Sequence, residues 1–327
     1  MLQRIFLPRL SRPHPPHRSI AWPGPGLGLL LALLLCLPVP PVHSGQPPFV
    51  VASIPPVHSL VAGVMEGVAT PVLLIRGGAT VHAYRLRPSQ MRTLNRAQAI
   101  FRIGSNLESF LDRPLASLTG KSRIVDLMEW PGMHLLPGRH GGLWQHTSHH
   151  REHGYLDPHI WLDPRNAEIM VEAIVTTLAD IDPPHTRHYQ DNGSRLRTAL
   201  RRLDRELATR LAPVRTLPYL VFHDAYHYFE NRYGLHAVGA VTATPDRPPG
   251  ARRLREVKRL IQQGKIRCLF REPQFTPGWL DMLREGTSLY VGVLDPLGAE
   301  LEPGPDLYFT LMRRLAASLT DCLSKTE

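Results

Sequence analysis

Cysteine is scarce in this sequence: only three of its 327 residues are cysteines, and Cys36 lies near the N-terminus. A comfortable membrane span is also missing, because the apolar run at residues 27–37 falls well short of the roughly 20 residues that a membrane helix needs. Basic residues outnumber acidic ones, 38 to 28, but they are dispersed and no aromatic residues alternate with them. This pattern argues against a partner such as single-stranded nucleic acid.

The first 44 residues have the features of a secretory signal peptide. Four arginines precede the apolar run, and residues 42–44 (Val-His-Ser) end on a small residue of the kind that signal peptidase accepts. We therefore predict that residues 1–44 are removed on export. A lipid anchor at Cys36 is disfavoured, because Leu35 stands where lipoprotein processing needs a small residue. Removing four arginines and no acidic residue lowers the net charge from +10 to +6.

Cleavage leaves two cysteines, Cys268 and Cys322. An even number of cysteines in an exported protein favours a disulfide over two buried thiols. Closing this loop contributes roughly 4 kcal/mol in the chain-entropy model.

Short β-branched runs alternate with helical stretches in both halves of the chain. The predicted strands are residues 49–54, 71–75, 99–103, 123–127, 219–222, 236–241, 266–270 and 288–294, and the predicted helices between them are residues 57–67, 89–97 and 254–261. Alternation of this kind predicts an α/β fold in which helices cover mainly parallel sheets.

A stripe of leucines separates the two halves. Leucine recurs at steps of four, three, four and four, which places one apolar face on a helix; the stripe is Leu196, Leu200, Leu203, Leu207 and Leu211. The predicted helix, residues 184–212, is about 40 Å long. We therefore predict two lobes, residues 45–183 and 213–327, joined by one stiff helix.

A histidine-rich loop is predicted at residues 134–153. Its six histidines are His134, His140, His146, His149, His150 and His153. Imidazole is the commonest side-chain ligand of borderline transition metals, so the tract suggests metal handling. We expect weak secondary sites of two or three imidazoles, formed from the five histidines between 140 and 153; the alternative is a loop without function.

Four potential metal ligands follow or adjoin predicted strands: His82, His159, His223 and Asp295. In open α/β sheets, ligands bind beyond the carboxyl ends of the strands. Two lobes that face each other would bring these residues to one cleft, where three imidazoles and a carboxylate form a tetrahedral set suited to Zn²⁺. Taken individually, each histidine is more simply explained as polar surface, and Asp295 before a proline as a turn former.

Several motifs occur together and in order around these residues. They are His82-Ala83-Tyr84 with Leu86-Arg87-Pro88-Ser89, Asp157-Pro158-His159-Ile160-Trp161-Leu162, Phe222-His223-Asp224-Ala225-Tyr226, Arg271-Glu272-Pro273-Gln274-Phe275 and Leu294-Asp295-Pro296-Leu297-Gly298. With these motifs the chain resembles, over residues 48–323, the periplasmic metal-binding proteins of ABC importers. The resemblance is greatest to the zinc-binding branch, which serves high-affinity zinc uptake.

The resemblance implies that His82, His159 and His223 ligate Zn²⁺, with Asp295 able to supply the fourth ligand. It also implies a disulfide between Cys268 and Cys322, a periplasmic location, and a monomer that delivers zinc to an inner-membrane permease. His223 favours zinc over manganese, since manganese-binding relatives typically carry glutamate there and manganese prefers oxygen ligands. Val81 departs from the zinc-binding pattern, which often has an acid there. The fourth ligand therefore stays open between Asp295, a water and a loop imidazole.

Two further alternatives belong to other functional classes. A zinc hydrolase would use the i, i+4 spacing of His223 and His227, with Asp224 as the base. Because His223 is predicted to end a strand, this pair would not face one metal, and we expect no enzyme. An adhesin-type or manganese-binding member of the same fold is the second alternative.

Overall fold

A computed structural model of the chain describes residues 46–76, 81, 84–118, 120, 122–144, 154–242, 245, 248–275 and 278–325. The predicted signal peptide lies outside these residues, and so do His82, His146, His149, His150 and His153. No helix in the described ranges combines the length and the apolar character that a membrane span requires.

The described residues form two four-stranded sheets with the orders β2-β1-β3-β4 and β6-β5-β7-β8. The strands are β1 (Val50–Ala52), β2 (Val72–Leu73), β3 (Ala99–Arg102), β4 (Arg123–Asp126), β5 (Tyr219–His223), β6 (Ala237–Thr242), β7 (Cys268–Arg271) and β8 (Tyr290–Val293). Every neighbouring pair is parallel. Each strand overlaps one that the sequence predicts, so the predicted pair of mainly parallel sheets is confirmed.

Helices follow most of the strands, as parallel crossovers require. They are α1 (Pro55–Val64), α2 (Pro88–Arg96), α3 (Ser105–Glu108), α4 (Asp112–Ala116), α5 (Pro164–Ile181), α6 (Thr186–Leu211), α7 (His227–Tyr233), α8 (Ala251–Gln262), α9 (Trp279–Arg284) and α10 (Leu307–Leu323). Helix α1 is buried on every side because it packs against α5, α6 and α10 as well as against β1.

The long helix α6 is the predicted connection between the two sheets, and its 26 residues begin at Thr186. Its leucine stripe is buried at all five positions. Gly193 lies within this helix, where glycine has poor intrinsic propensity. A Cβ there would lie 2.4 Å from Cγ2 of Val175 on α5. The glycine therefore lets the two longest helices approach closely, which offsets its low propensity.

The predicted disulfide is present between Cys268 and Cys322. Cys268 begins β7 and Cys322 lies near the end of α10, and both are buried. The bond ties the C-terminal helix to the second sheet across 54 residues of sequence, a separation for which the chain-entropy model gives about 4 kcal/mol.

Candidate metal centre

His159 is held in place by the carboxylate two residues before it. Oδ1 of Asp157 lies 2.7 Å from Nδ1 of His159 and also accepts the His159 backbone N–H at 2.9 Å. The short helical turn Ile160–Leu162 follows directly, and the indole N–H of Trp161 donates to the carbonyl oxygen of Pro296 at 2.8 Å. These contacts fix the imidazole of the first half of the chain against the loop that follows β8.

His223 is the last residue of β5, as the sequence predicts, and it is paired with a second buried carboxylate. Its Nδ1 contacts Oε1 of Glu272, the residue immediately after β7. In both histidines a carboxylate therefore holds Nδ1, and Nε2 is the nitrogen suited to a metal. Metal-ligating histidines commonly donate their other N–H to a carboxylate in this way.

The two imidazoles face each other with ring centroids 5.6 Å apart and an interplanar angle of 59°. Two imidazoles that bind one tetrahedral zinc through bonds of ~2.0–2.1 Å have centroids about 5 Å apart. The cleft between them has a volume of about 20 Å³. This is roughly the space for one water-sized sphere. The cleft therefore has room for a single ion.

Val81, Glu272 and Gln274 also line this cleft. His82 lies outside the described residues, so its predicted place beside Val81 stays a prediction. Within the described ranges, no group of three or more His, Cys, Asp or Glu side chains is arranged to hold a metal ion. Of the predicted ligands, His159 and His223 are the described ones that line the cleft.

Asp295 follows β8, and its carboxylate accepts hydrogen bonds from the backbone of the turn that comes next. Oδ1 accepts the backbone N–H groups of Leu297 and Gly298, both at 2.9 Å, and Oδ2 accepts that of Ala299 at 2.7 Å. Asp295 borders a larger cavity of about 450 Å³ between β8 and α10, and it is not among the described residues lining the histidine cleft. Its role as the fourth ligand stays a prediction, beside a turn-forming role that the contacts support.

Burial and neighbouring charges shift the pKa values of the two imidazoles in opposite directions. Burial, together with the charge of His223, lowers the pKa of His159 to about 3. Burial also lowers the pKa of His223, but the charge and hydrogen bond of Glu272 outweigh it and raise the net pKa above the usual 6.5. His159 is therefore neutral at physiological pH and carries a lone pair for a metal.

A buried ion-pair network lies directly behind the cleft. Arg139 Nε lies 3.0 Å from Oδ1 and 3.2 Å from Oδ2 of Asp224, and its Nη1 lies 2.5 Å from Oε2 of Glu230. The guanidinium lies 3.4 Å from the ring centroid of Trp144. Asp224 follows His223 in the chain, so the network supports the end of β5.

Arg139 lies in residues 134–144, the first part of the predicted histidine loop, which we call the pre-loop segment. This segment pairs with the chain that follows the loop through a bridge between Pro137 and Leu156. It also contacts the second sheet, since the carbonyl oxygen of Leu143 accepts the N–H of Ala240 at 3.0 Å. A Cβ on Gly239 would lie 2.1 Å from Cβ of Leu143, so a glycine is required at this contact. The pre-loop segment thus connects both halves of the molecule, while His140 is exposed.

His223 and His227 lie in different secondary-structure elements. His227 begins α7, whereas His223 ends β5, so the two do not share one helical face. Nδ1 of His227 instead lies 3.7 Å from Oδ2 of Asp157. This geometry agrees with the sequence-based expectation that the pair is not a metalloprotease motif.

Residues 50–322 match a protein-family model, which is described as "ZnuA: Zinc-uptake complex component A periplasmic". The chain belongs to the ZnuA family. A Brucella suis relative, named high-affinity zinc uptake system protein ZnuA, is 40% identical over 312 residues, covering 86% of this chain and 93% of the relative. The ZnuA family is a family of uptake components, and its description places it in the periplasm.

Solved structures share the fold of this ZnuA family member. A crystal structure of ZnuA superposes with a TM-score of 0.73 at 23% identity, covering 85% of this chain and 100% of that one. The periplasmic zinc binding protein TroA from Treponema pallidum gives a TM-score of 0.73 at 21% identity, with the same coverage. These matches confirm the predicted α/β fold.

Sequence reasoning assigned no role to four residues that the structure places in or behind the cleft: Asp157, Glu272, Gln274 and Arg139. Asp157 lies in the motif that contains His159, and Glu272 and Gln274 lie in the motif that follows β7. Membership of a motif was the available signal for these three. Arg139 offered none, because its carboxylate partners lie 85 and 91 residues away.

Proposed function

We propose that this ZnuA family member captures Zn²⁺ in the periplasm and delivers it to the inner-membrane permease of an ABC-type importer. The observation that carries the proposal is the facing pair of His159 and His223. Each imidazole is held through Nδ1 by a buried carboxylate, and the cleft between them has room for one ion. Family membership supports the same cargo.

His82, His159 and His223 are the proposed protein ligands, and zinc is the proposed metal. Zinc accepts several imidazoles in tetrahedral geometry, whereas manganese prefers oxygen donors and a higher coordination number. A manganese carrier is the alternative within this fold. The protein is proposed to act as a monomeric carrier after removal of residues 1–44.

Metal titration of the mature protein tests this function. With a competing chromophoric chelator, we expect one tightly bound Zn²⁺ per chain and an affinity for Mn²⁺ that is lower by roughly a hundredfold or more. The reason is the imidazole-rich donor set. Equal affinities for the two metals would contradict the zinc assignment, and hydrolysis of peptides by the zinc-loaded protein would revive an enzyme.

The histidine loop is proposed to hold further, weaker zinc sites. A variant with His146, His149, His150 and His153 replaced by serine keeps the loop length and leaves the pre-loop segment intact. We expect a lower total zinc stoichiometry by native mass spectrometry and an unchanged affinity of the tightest site. Loss of the tightest site would instead place a primary ligand in the loop.

A further inference from the structure

Among the residues that the structure describes, the fourth coordination position of the proposed site has no obvious donor. Val81 lines the cleft with an apolar, buried side chain that offers no donor atom. Among the described lining residues, the side-chain nitrogen and oxygen donors other than the two ligand imidazoles belong to Trp161, Glu272 and Gln274. The Trp161 N–H donates to Pro296, and Oε1 of Glu272 holds His223. Gln274 differs from both, because its amide oxygen is buried without a hydrogen-bond partner among the described residues.

The amide oxygen of Gln274 is buried, and it accepts no hydrogen bond from any described residue. A buried acceptor without a partner is unfavourable, so such an atom calls for a ligand or a functional explanation. An ion in the adjoining cleft would supply the missing partner.

The backbone around Gln274 is held on both sides. The N–H of Phe275 donates to the carbonyl oxygen of Glu272 at 3.1 Å, which closes a turn directly after β7. The ring of Phe275 stacks on Phe222 with centroids 5.0 Å apart, and Phe222 precedes His223. The turn that carries Gln274 is therefore fixed to the strand end that carries a proposed metal ligand.

The competing donor, Asp295, already accepts three backbone N–H groups at 2.7–2.9 Å. Those contacts shape the turn after β8, and Asp295 borders the other cavity rather than the described lining of the cleft. Ligation by Asp295 would require this turn to give up or share its acceptor.

We propose that Oε1 of Gln274 is the fourth donor to the ion held by the histidine pair. The proposal rests on the proposed function, which names three protein ligands, and it assigns the fourth. A neutral amide oxygen adds no charge to the donor set. Charge balance then falls to Asp157 and Glu272, the two carboxylates that are hydrogen-bonded to the ligand imidazoles.

Cobalt substitution reads the donor set directly, because the visible spectrum of Co²⁺ depends on the number and type of its ligands. We compare Gln274→Met, which keeps the side-chain length but removes the oxygen, with Gln274→Glu, which places a charged oxygen at the same position. Gln274→Met removes one of about four ligands and should lower zinc affinity by roughly a hundredfold and change the cobalt spectrum. Gln274→Glu should bind zinc at least as tightly as the unmodified protein.

Two controls make the result decisive. Gln263→Met makes the same substitution at an exposed residue after α8 and should change neither quantity. Asp295→Asn keeps an oxygen acceptor for the turn and should leave the cobalt spectrum unchanged. An altered spectrum in Asp295→Asn with an unaltered one in Gln274→Met would overturn the proposal and assign the position to Asp295.

The failure of this proposal is distinguishable from failure of the proposed function. If His223→Ala loses tight zinc binding while both Gln274 variants match the unmodified protein in affinity and spectrum, only the fourth donor is wrong. If His223→Ala also keeps tight binding, the site itself is wrong. Circular dichroism of each metal-free variant establishes that the comparison is made between folded proteins.

Discussion

Zinc affinity is expected to fall about a hundredfold or more when His223 is replaced by alanine. Structural zinc sites with about four ligands bind with roughly 10–16 kcal/mol, so one ligand accounts for about 3 kcal/mol, which corresponds to a factor of more than a hundred. Nδ1 of His223 also donates to the carboxylate of Glu272, and its loss leaves that buried carboxylate without its imidazole partner. The measurement is a competition titration with a chelator of known zinc affinity.

His188→Ala is the matched control for this prediction. His188 is exposed on α6, away from the cleft, and its removal should leave the tight site unchanged. The two variants separate loss of a ligand from a general effect of removing one imidazole. Unchanged affinity in His223→Ala would show that the ion binds elsewhere.

Replacing Arg139 by methionine is expected to destabilise the metal-free protein by about 3–5 kcal/mol. The guanidinium is paired with Asp224 and Glu230, whose side chains are only 5% and 3% exposed. Methionine preserves much of the side-chain volume but leaves both carboxylates buried without their cation. Breaking one partner of a buried ion pair costs more than the pair contributes, because the remaining charge has lost its solvation.

Urea denaturation of the metal-free protein measures this effect, and an exposed pair supplies the comparison. Arg201 binds Glu168 at 2.6 Å with 59% of the arginine side chain exposed. Arg201→Met should therefore cost less than about 1 kcal/mol. If Arg139→Met were equally mild, the network behind the cleft would contribute little to stability, and the pre-loop segment would owe its position to Leu143 instead.

Sequence patterns predicted the long helix and all eight strands of the described residues, because the forces that form them are local and periodic. The leucine stripe of α6 is one example, since every member that the 3.6-residue period marks is buried. Strand ends were predicted less accurately, and β2 covers only Val72–Leu73. Its length depends on how far the neighbouring strand β1 extends, which no local pattern encodes.

Two long helices, α5 and α10, were not predicted although both carry helical signals. Pro164 begins α5 directly after Asp163, whose side chain accepts the N–H of Arg165 as an N-cap. Helix α10 buries Leu307, Leu311 and Leu315 at steps of four. Each helix follows a motif of the proposed site, residues 157–162 for α5 and residues 294–298 for α10.

The sequence by itself determined the fold class and the pairing of Cys268 with Cys322, and it predicted the residue types of the proposed metal site. Tertiary structure alone decided which carboxylates hold His159 and His223, why Arg139 lies between two acids, and that Asp295 is engaged by a turn. These contacts join residues up to 91 positions apart. The energies of these contacts depend on burial and on precise distances and angles between the groups. Neither is fixed until the sheets have packed against the helices.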